Sequence, residues 1–256
     1  MRPGLTLRAV PDPQALAMLA ADLIAAQVRA KPELTMLVAT GSTPMPTYAE
    51  LGNRVQAGTL DLSRVTVVGL DEYLGLEPDD PRSLWDWTLR SVIGPLRIRR
   101  SVRFGASGDP GRACAEYDAQ IAALGGIDLA ILGLGPNGHL GFNEPPSAAD
   151  APTRVADLTP ESLVSNRAYW GQDVPRRALT AGMTVILAAR CALLLVSGEH
   201  KRGILHRVLE GPPTPEVPAS LLGGPGVSVL ADRAALGPED AQPVSARLDS
   251  GPDGAS

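Results

Sequence analysis

His139 is one of three histidines in the chain, and it stands in the stretch LGLGPNGHLGFNEP, residues 132–145, directly after an apolar run. Asn137 precedes it by two residues and Glu144 follows it by five. An imidazole titrates near neutrality and can give or take a proton. A carboxylate bonded to one ring nitrogen raises the basicity of the other. Four glycines between Gly133 and Gly141 let the backbone approach a ligand closely. The plain alternative is a loop histidine satisfied by the backbone.

Other polar residues stand where apolar runs stop. TGSTPMPTY begins at Thr40, DEYLGL at Asp71 and SGEHK at Ser197. In the first, Gly41 suits a tight turn, Ser42 or Thr43 can cap the next helix, and Pro44 suits its first turn. Hydroxyls, free N–H groups and a helix dipole then make an anion site; a plain capped helix fits the spacing equally. No Gly-Lys-Ser/Thr follows, so this is not a nucleotide P-loop. Asp71 reads either as a helix N-cap or as a carboxylate base. Lys201 is one of only two lysines, with Lys31. Its place at a strand end points to phosphate contact, against the plain reading of a solvated side chain. His200 and His206 read as surface or capping residues.

The elements that must position these groups follow from the pattern of apolar runs. LTMLVAT (34–40), RVTVVGL (64–70), IDLAILGLG (127–135) and CALLLVSG (191–198) read as strands buried on both faces, with VSVLAD (227–232) a further strand and LTLRAV (5–10) an edge strand. Stretches of helical spacing, among them 14–30 and 111–124, alternate with them. The pattern predicts a three-layer α/β/α, Rossmann-like fold: a mostly parallel sheet with helices on both faces. Ligands of such sheets bind outside the carboxyl ends of the strands. Thr40–Thr43, Asp71, Asn137–Glu144 and Lys201 therefore converge on one crevice. One domain is expected over 1–235. Residues 145–178 have little strand character and read as a lid-like excursion, and 236–256 as a disordered tail.

Composition narrows the function classes. Net charge is −5 with no basic block, which argues against nucleic acid. Cys114 and Cys191 show no pairing or metal spacing and read as buried small hydrophobes of a reducing compartment. No run is long enough for a membrane span, and the N-terminus lacks a signal-peptide core. A soluble cytoplasmic protein is expected, with no metal and no cofactor, and a homo-oligomer is left open.

Taken together, the motifs resemble those of glucosamine-6-phosphate deaminases, which are similar in fold to 6-phosphogluconolactonases. The matching stretches are TGSTPMPTY, VVGLDEYLGL, DLAILGLGPNGHLGFNEP, Thr153-Arg154, RRALTAGM, SGEHKRGILHRVLEGP and PAS at 218–220, in family order from about residue 36 to 220. The resemblance implies cofactor-free isomerisation of glucosamine 6-phosphate with loss of ammonia, giving fructose 6-phosphate. It implies that His139, oriented by Glu144, opens the sugar ring. Asp71 moves a proton from C2 to C1, and Gly41, Ser42, Thr43, Arg167 and Lys201 hold the phosphate. Asn137 stands where some members carry aspartate; an amide supplies no charge, so orientation of the ring falls to Glu144. The alternatives are a lactonase-type hydrolase, a deaminase of a related amino-sugar phosphate, and a sugar-phosphate sensor. A sensor would carry an upstream DNA-binding helix-turn-helix and would not need Asp71, His139 and Glu144; the chain opens on its first strand.

Overall fold

The computed structural model describes residues 4–76, 80–105, 108–171 and 173–237. The strands, in chain order, are β1 (Leu5–Val10), β2 (Thr35–Val38), β3 (Thr66–Gly69), β4 (Asp71–Tyr73), β5 (Arg100–Val102), β6 (Leu129–Gly133), β7 (Arg154–Asp157), β8 (Arg177–Thr180), β9 (Cys191–Val196) and β10 (Val227–Asp232). The α-helices are α1 (Pro13–Ala30), α2 (Met45–Gln56), α3 (Leu84–Thr88), α4 (Pro110–Ala123), α5 (Pro160–Trp170), α6 (Met183–Leu187), α7 (Arg202–Glu210) and α8 (Arg233–Leu236).

Among the described residues seven strands form one parallel sheet in the order β1-β10-β9-β6-β2-β3-β5. From β2 the chain builds outward through β3 to β5, then returns to place β6 on the other side of β2. That reversal puts a crevice between the carboxyl ends of β2 and β6. Successive strand side chains point to opposite faces. Leu37, Val68, Leu132 and Leu194 accordingly pack with α4 and α7, while Met36, Val67, Ile131 and Leu195 pack with α1 and α2. The sandwich explains why these strands read as unbroken apolar runs: both faces are covered. Helix ends are closed locally, with Asp12 capping α1 and Asp109 capping α4.

Four expectations need correcting. Residues 145–178 are not mainly loop. They hold β7, α5 and the start of β8, and β7 and β8 join β4 in an antiparallel sheet of order β4-β8-β7. These strands have three or four residues each and acquire their structure from pairing with one another, so no single one shows alternation. Asp71 caps no helix; it opens β4, opposite Thr180. Neither Ser42 nor Thr43 caps α2, which starts at Met45 with Pro44 at the cap position and no side-chain cap bond. The tail expected from 236 does not start there, since Leu236 closes α8 and is buried. Residues 238–256 lie outside the described residues. Of the cysteines, Cys114 is buried and Cys191 half-buried, and both are free.

The two sheets meet at Leu70. Its N–H donates to Val38 O of the parallel sheet, and its carbonyl accepts from Ala181, just past β8. Just past β8, the chain closes on the entry to β7 at Gly182, whose N–H donates to Thr153 Oγ1 at 3.1 Å. A Cβ on Gly182 would lie 2.3 Å from the Pro152 carbonyl carbon and 2.4 Å from the Thr153 nitrogen. Gly182→Ala must therefore push the entry to β7 away. It is expected to destabilise the fold by about 1–3 kcal/mol, read by urea unfolding; an unchanged midpoint would show that this approach is not a constraint.

Candidate active site

The crevice predicted at the sheet edge is lined by Gly41, Ser42, Thr43, Asp71, Tyr73, His139, Asn166 and Lys201, among others. Loops after β2, β3, β6 and β9 thus converge as the topology requires. Arg167 is the exception. It lies on α5 but is exposed and outside the cavity lining, which α5 supplies through Ser165, Asn166 and Ala168.

Asp71 and Glu72 are neighbours with opposite tasks, because adjacent residues of a strand face opposite ways. Glu72 points inward and is almost wholly buried. Its carboxylate accepts from Tyr73 N at 2.8 Å and from Leu84 N and Trp85 N at 2.9 Å, tying the start of α3 to β4. Asp71 points into the cavity, and its Oδ1 is enclosed without a hydrogen-bond partner. Burial, followed by the like charge of Glu72, pushes the Asp71 carboxyl up to about 8. A carboxyl so placed is a strong base once ionised, and a positive group arriving beside it favours that ionisation.

His139 is held from several sides. The turn before it closes through Gly138 N to Gly135 O, and Gly135 N donates to His139 O. Its ring lies against Gly135: a Cβ there would fall 2.2 Å from Cδ2 and 2.3 Å from Nε2. Nδ1 is 3.2 Å from Glu144 Oε2 and 3.2 Å from Ser162 Oγ. Asn137 does not touch the ring. Its amide donates to the same Glu144 Oε2 at 2.8 Å, and Thr159 Oγ1 donates to that oxygen at 3.2 Å. Burial by itself would raise Glu144, but the hydrogen bond and charge of His139, with hydrogen bonds from Ser162 and Asn137, hold it down at about 2. Glu144 is thus an ionised carboxylate on the side of the ring away from Nε2. The loop that carries it is braced by Arg154, whose guanidinium donates to Asn143 Oδ1 and Ser147 Oγ, each at 2.8 Å.

Lys201 stands at the end of a short turn after Gly198 and makes no ion pair among the described residues. Burial pushes its ammonium below the ordinary lysine value. An uncompensated cation held in a cavity with the hydroxyls of Ser42 and Thr43 and the backbone of Gly41, whose φ of 109° favours glycine, is matched to an anion. The turn itself is pinned by Asp232, which accepts from Ser197 Oγ, from Gly198 N and from Ala235 N at the start of α8. Among the described residues no group of three or more His, Cys, Asp or Glu could hold a metal ion. No described helix is long and apolar enough to cross a membrane.

The sequence matches the family described as glucosamine-6-phosphate isomerases/6-phosphogluconolactonase over residues 11–230. The chain belongs to this family. Among relatives, it is 42% identical to a glucosamine-6-phosphate deaminase of Rhodopirellula baltica, over 88% of this chain and 92% of that protein. It is 40% identical to one of Halothermothrix orenii, over 84% and 92%. Among solved structures, a monomeric glucosamine-6-phosphate deaminase superposes with a TM-score of 0.86 at 33% identity, covering 90% of this chain and 98% of that one. A 6-phosphogluconolactonase from Trypanosoma brucei shares the fold, with a TM-score of 0.73 at 20% identity.

For this member of the glucosamine-6-phosphate isomerase/6-phosphogluconolactonase family, the structure adds groups that the motifs did not point to. Ser162 and Thr159 reach the His139–Glu144 pair from the first turn of α5. The stretch Thr159-Pro160-Glu161-Ser162 carries the signal of a helix start, a Thr cap followed by Pro. Reading the region as a loop hid it. Gly135 was visible only as one glycine of four.

Two outcomes follow for this site. Gly135→Ala displaces the ring and is expected to cut turnover on the order of 10²-fold or more with the fold intact; full activity would mean the ring is not held there. Glu144 has a folded pKa below its unfolded value, so its contribution to stability is present above pH about 4.5 and is lost as pH falls through about 2. The stability difference between the protein and Glu144→Gln should therefore shrink as pH falls from about 4.5 towards 2, by chemical denaturation. A difference that ignores pH would contradict the ionised pair.

Proposed function

We propose that the protein converts glucosamine 6-phosphate and water to fructose 6-phosphate and ammonia. What carries the reading is one cavity lined by both Asp71 and His139, with the Glu144 carboxylate held against Nδ1 of that histidine. Asp71, pushed up by burial, is poised to take and return a proton, and Glu144, held down by its hydrogen-bond partners, stands ionised at neutral pH behind the histidine. Pairs of groups whose surroundings push their pKa values apart mark acid and base assignments. The family relatives supply the substrate class.

The chemistry follows from the groups. Glu144 holds His139 through Nδ1, leaving Nε2 to move the proton that opens the pyranose ring. In the open chain the C2 hydrogen is acidified by the C1 carbonyl. Asp71 removes it, the electron pair forms a C1–C2 double bond as the C1=O π bond opens to an O–H that takes a proton from the C2 ammonium, and return of the abstracted proton to C1 gives a ketimine. Water adds at C2 and ammonia leaves. C1 is reduced as C2 is oxidised, so no external oxidant is required. The substrate's C2 ammonium favours the ionised form of Asp71 on arrival. Gly41, Ser42, Thr43 and Lys201 hold the phosphate and position the reacting carbons. Arg167 stands outside this set.

The test is ammonia release from a panel of hexosamine 6-phosphates. Turnover of glucosamine 6-phosphate is expected, and Asp71→Asn should bind it yet lose about 10²–10⁴-fold in kcat. Release from no member of the panel would remove the reading. Lys201→Ala should raise KM, since a charge-assisted contact contributes about 1.5–3 kcal/mol; an unchanged KM would mean Lys201 does not touch phosphate.

A further inference from the structure

Asn166 is neither in the motifs nor in the network around His139, yet it lies on the same side of α5 as Ser162. Residues four apart on a helix share a face. Ser162 is buried and touches the His139 ring. One turn on, Asn166 lines the cavity, while its neighbour Arg167 turns outward. The Asn166 amide nitrogen is enclosed and has no hydrogen-bond partner. A shielded donor left unpaired costs free energy in the unliganded protein, and a carboxyl oxygen of this cavity, Asp71 Oδ1, is likewise enclosed without a partner. The Asn χ2 torsion is soft, so the amide can turn a donor toward a bound molecule without moving α5.

We infer that Asn166 is a substrate-binding residue whose side-chain amide donates a hydrogen bond to an oxygen of the phosphorylated sugar. The inference rests on the proposed function for the identity of the sugar and on the cavity for the contact. It gives α5 two connections to the reaction: Ser162 to the histidine and Asn166 to the substrate.

The test pairs Asn166→Leu, which removes the amide, with Asn166→Asp, which keeps the shape and replaces the donors by acceptors. Kinetics on glucosamine 6-phosphate are read beside the melting temperature without ligand. Both variants should lose about threefold to tenfold in kcat/KM through KM, the range expected for one neutral hydrogen bond. Asn166→Leu should melt no lower than the parent, because it removes an unpaired buried donor. Parent-like kcat/KM in Asn166→Asp overturns the donor role, and in both variants it overturns the contact. Lower melting of Asn166→Leu in step with lost activity assigns a structural role instead. If the parent releases no ammonia but is stabilised by glucosamine 6-phosphate, and Asn166→Leu loses that stabilisation, the functional reading fails and the contact stands. A parent neither active nor stabilised overturns both.

Discussion

The arrangement depends on a half-buried carboxyl group, one of its oxygens enclosed, at the seam between two sheets. Asp71 sits where the chain leaves the parallel sheet at Leu70 and enters the antiparallel one opposite Thr180. A strand continuing in the parallel sheet would carry this side chain onward within the packed layers. The change of direction instead presents it at the edge, in the crevice made by the reversal of strand order between β2 and β6. Its partner Glu72 is spent on backbone N–H groups of Tyr73, Leu84 and Trp85. The anchoring carboxylate also contributes like charge to its neighbour. Position and ionisation behaviour of Asp71 therefore share one origin.

Around that group the fold supplies restraint rather than more chemistry. Gly135 is bare because the His139 ring occupies the space of a side chain. Asn137 and Thr159 converge on one oxygen of Glu144, and Arg154 braces the loop from outside. The histidine is fixed by the parallel-sheet loop and by the first turn of α5 together, so α5 is part of the site and not only a cover over it.

Much of this was legible in the sequence. The strands of the main sheet announce themselves because burial on both faces demands continuous apolar runs, and their carboxyl ends brought Gly41–Thr43, Asp71, His139 and Lys201 to one edge by topology. The pairing of His139 with Glu144 followed from charge, since Asn137 has none to offer. What was not legible depends on contacts made at a distance. β4, β7 and β8 exist by pairing with each other, and Ser162 is separated from His139 by 23 residues. Arg167 was expected to hold phosphate; the helix phase instead turns Asn166 to the cavity, and a phase cannot be read where the helix itself was not recognised.

The central claim is that Asp71 is a desolvated base. Its carboxyl carbon can be followed by ¹³C NMR across pH in the unliganded protein, with the resonance assigned by its absence in Asp71→Asn. The account predicts a midpoint near 8. A midpoint at the ordinary aspartate value of about 4 would mean that the carboxylate is solvated, and would contradict it.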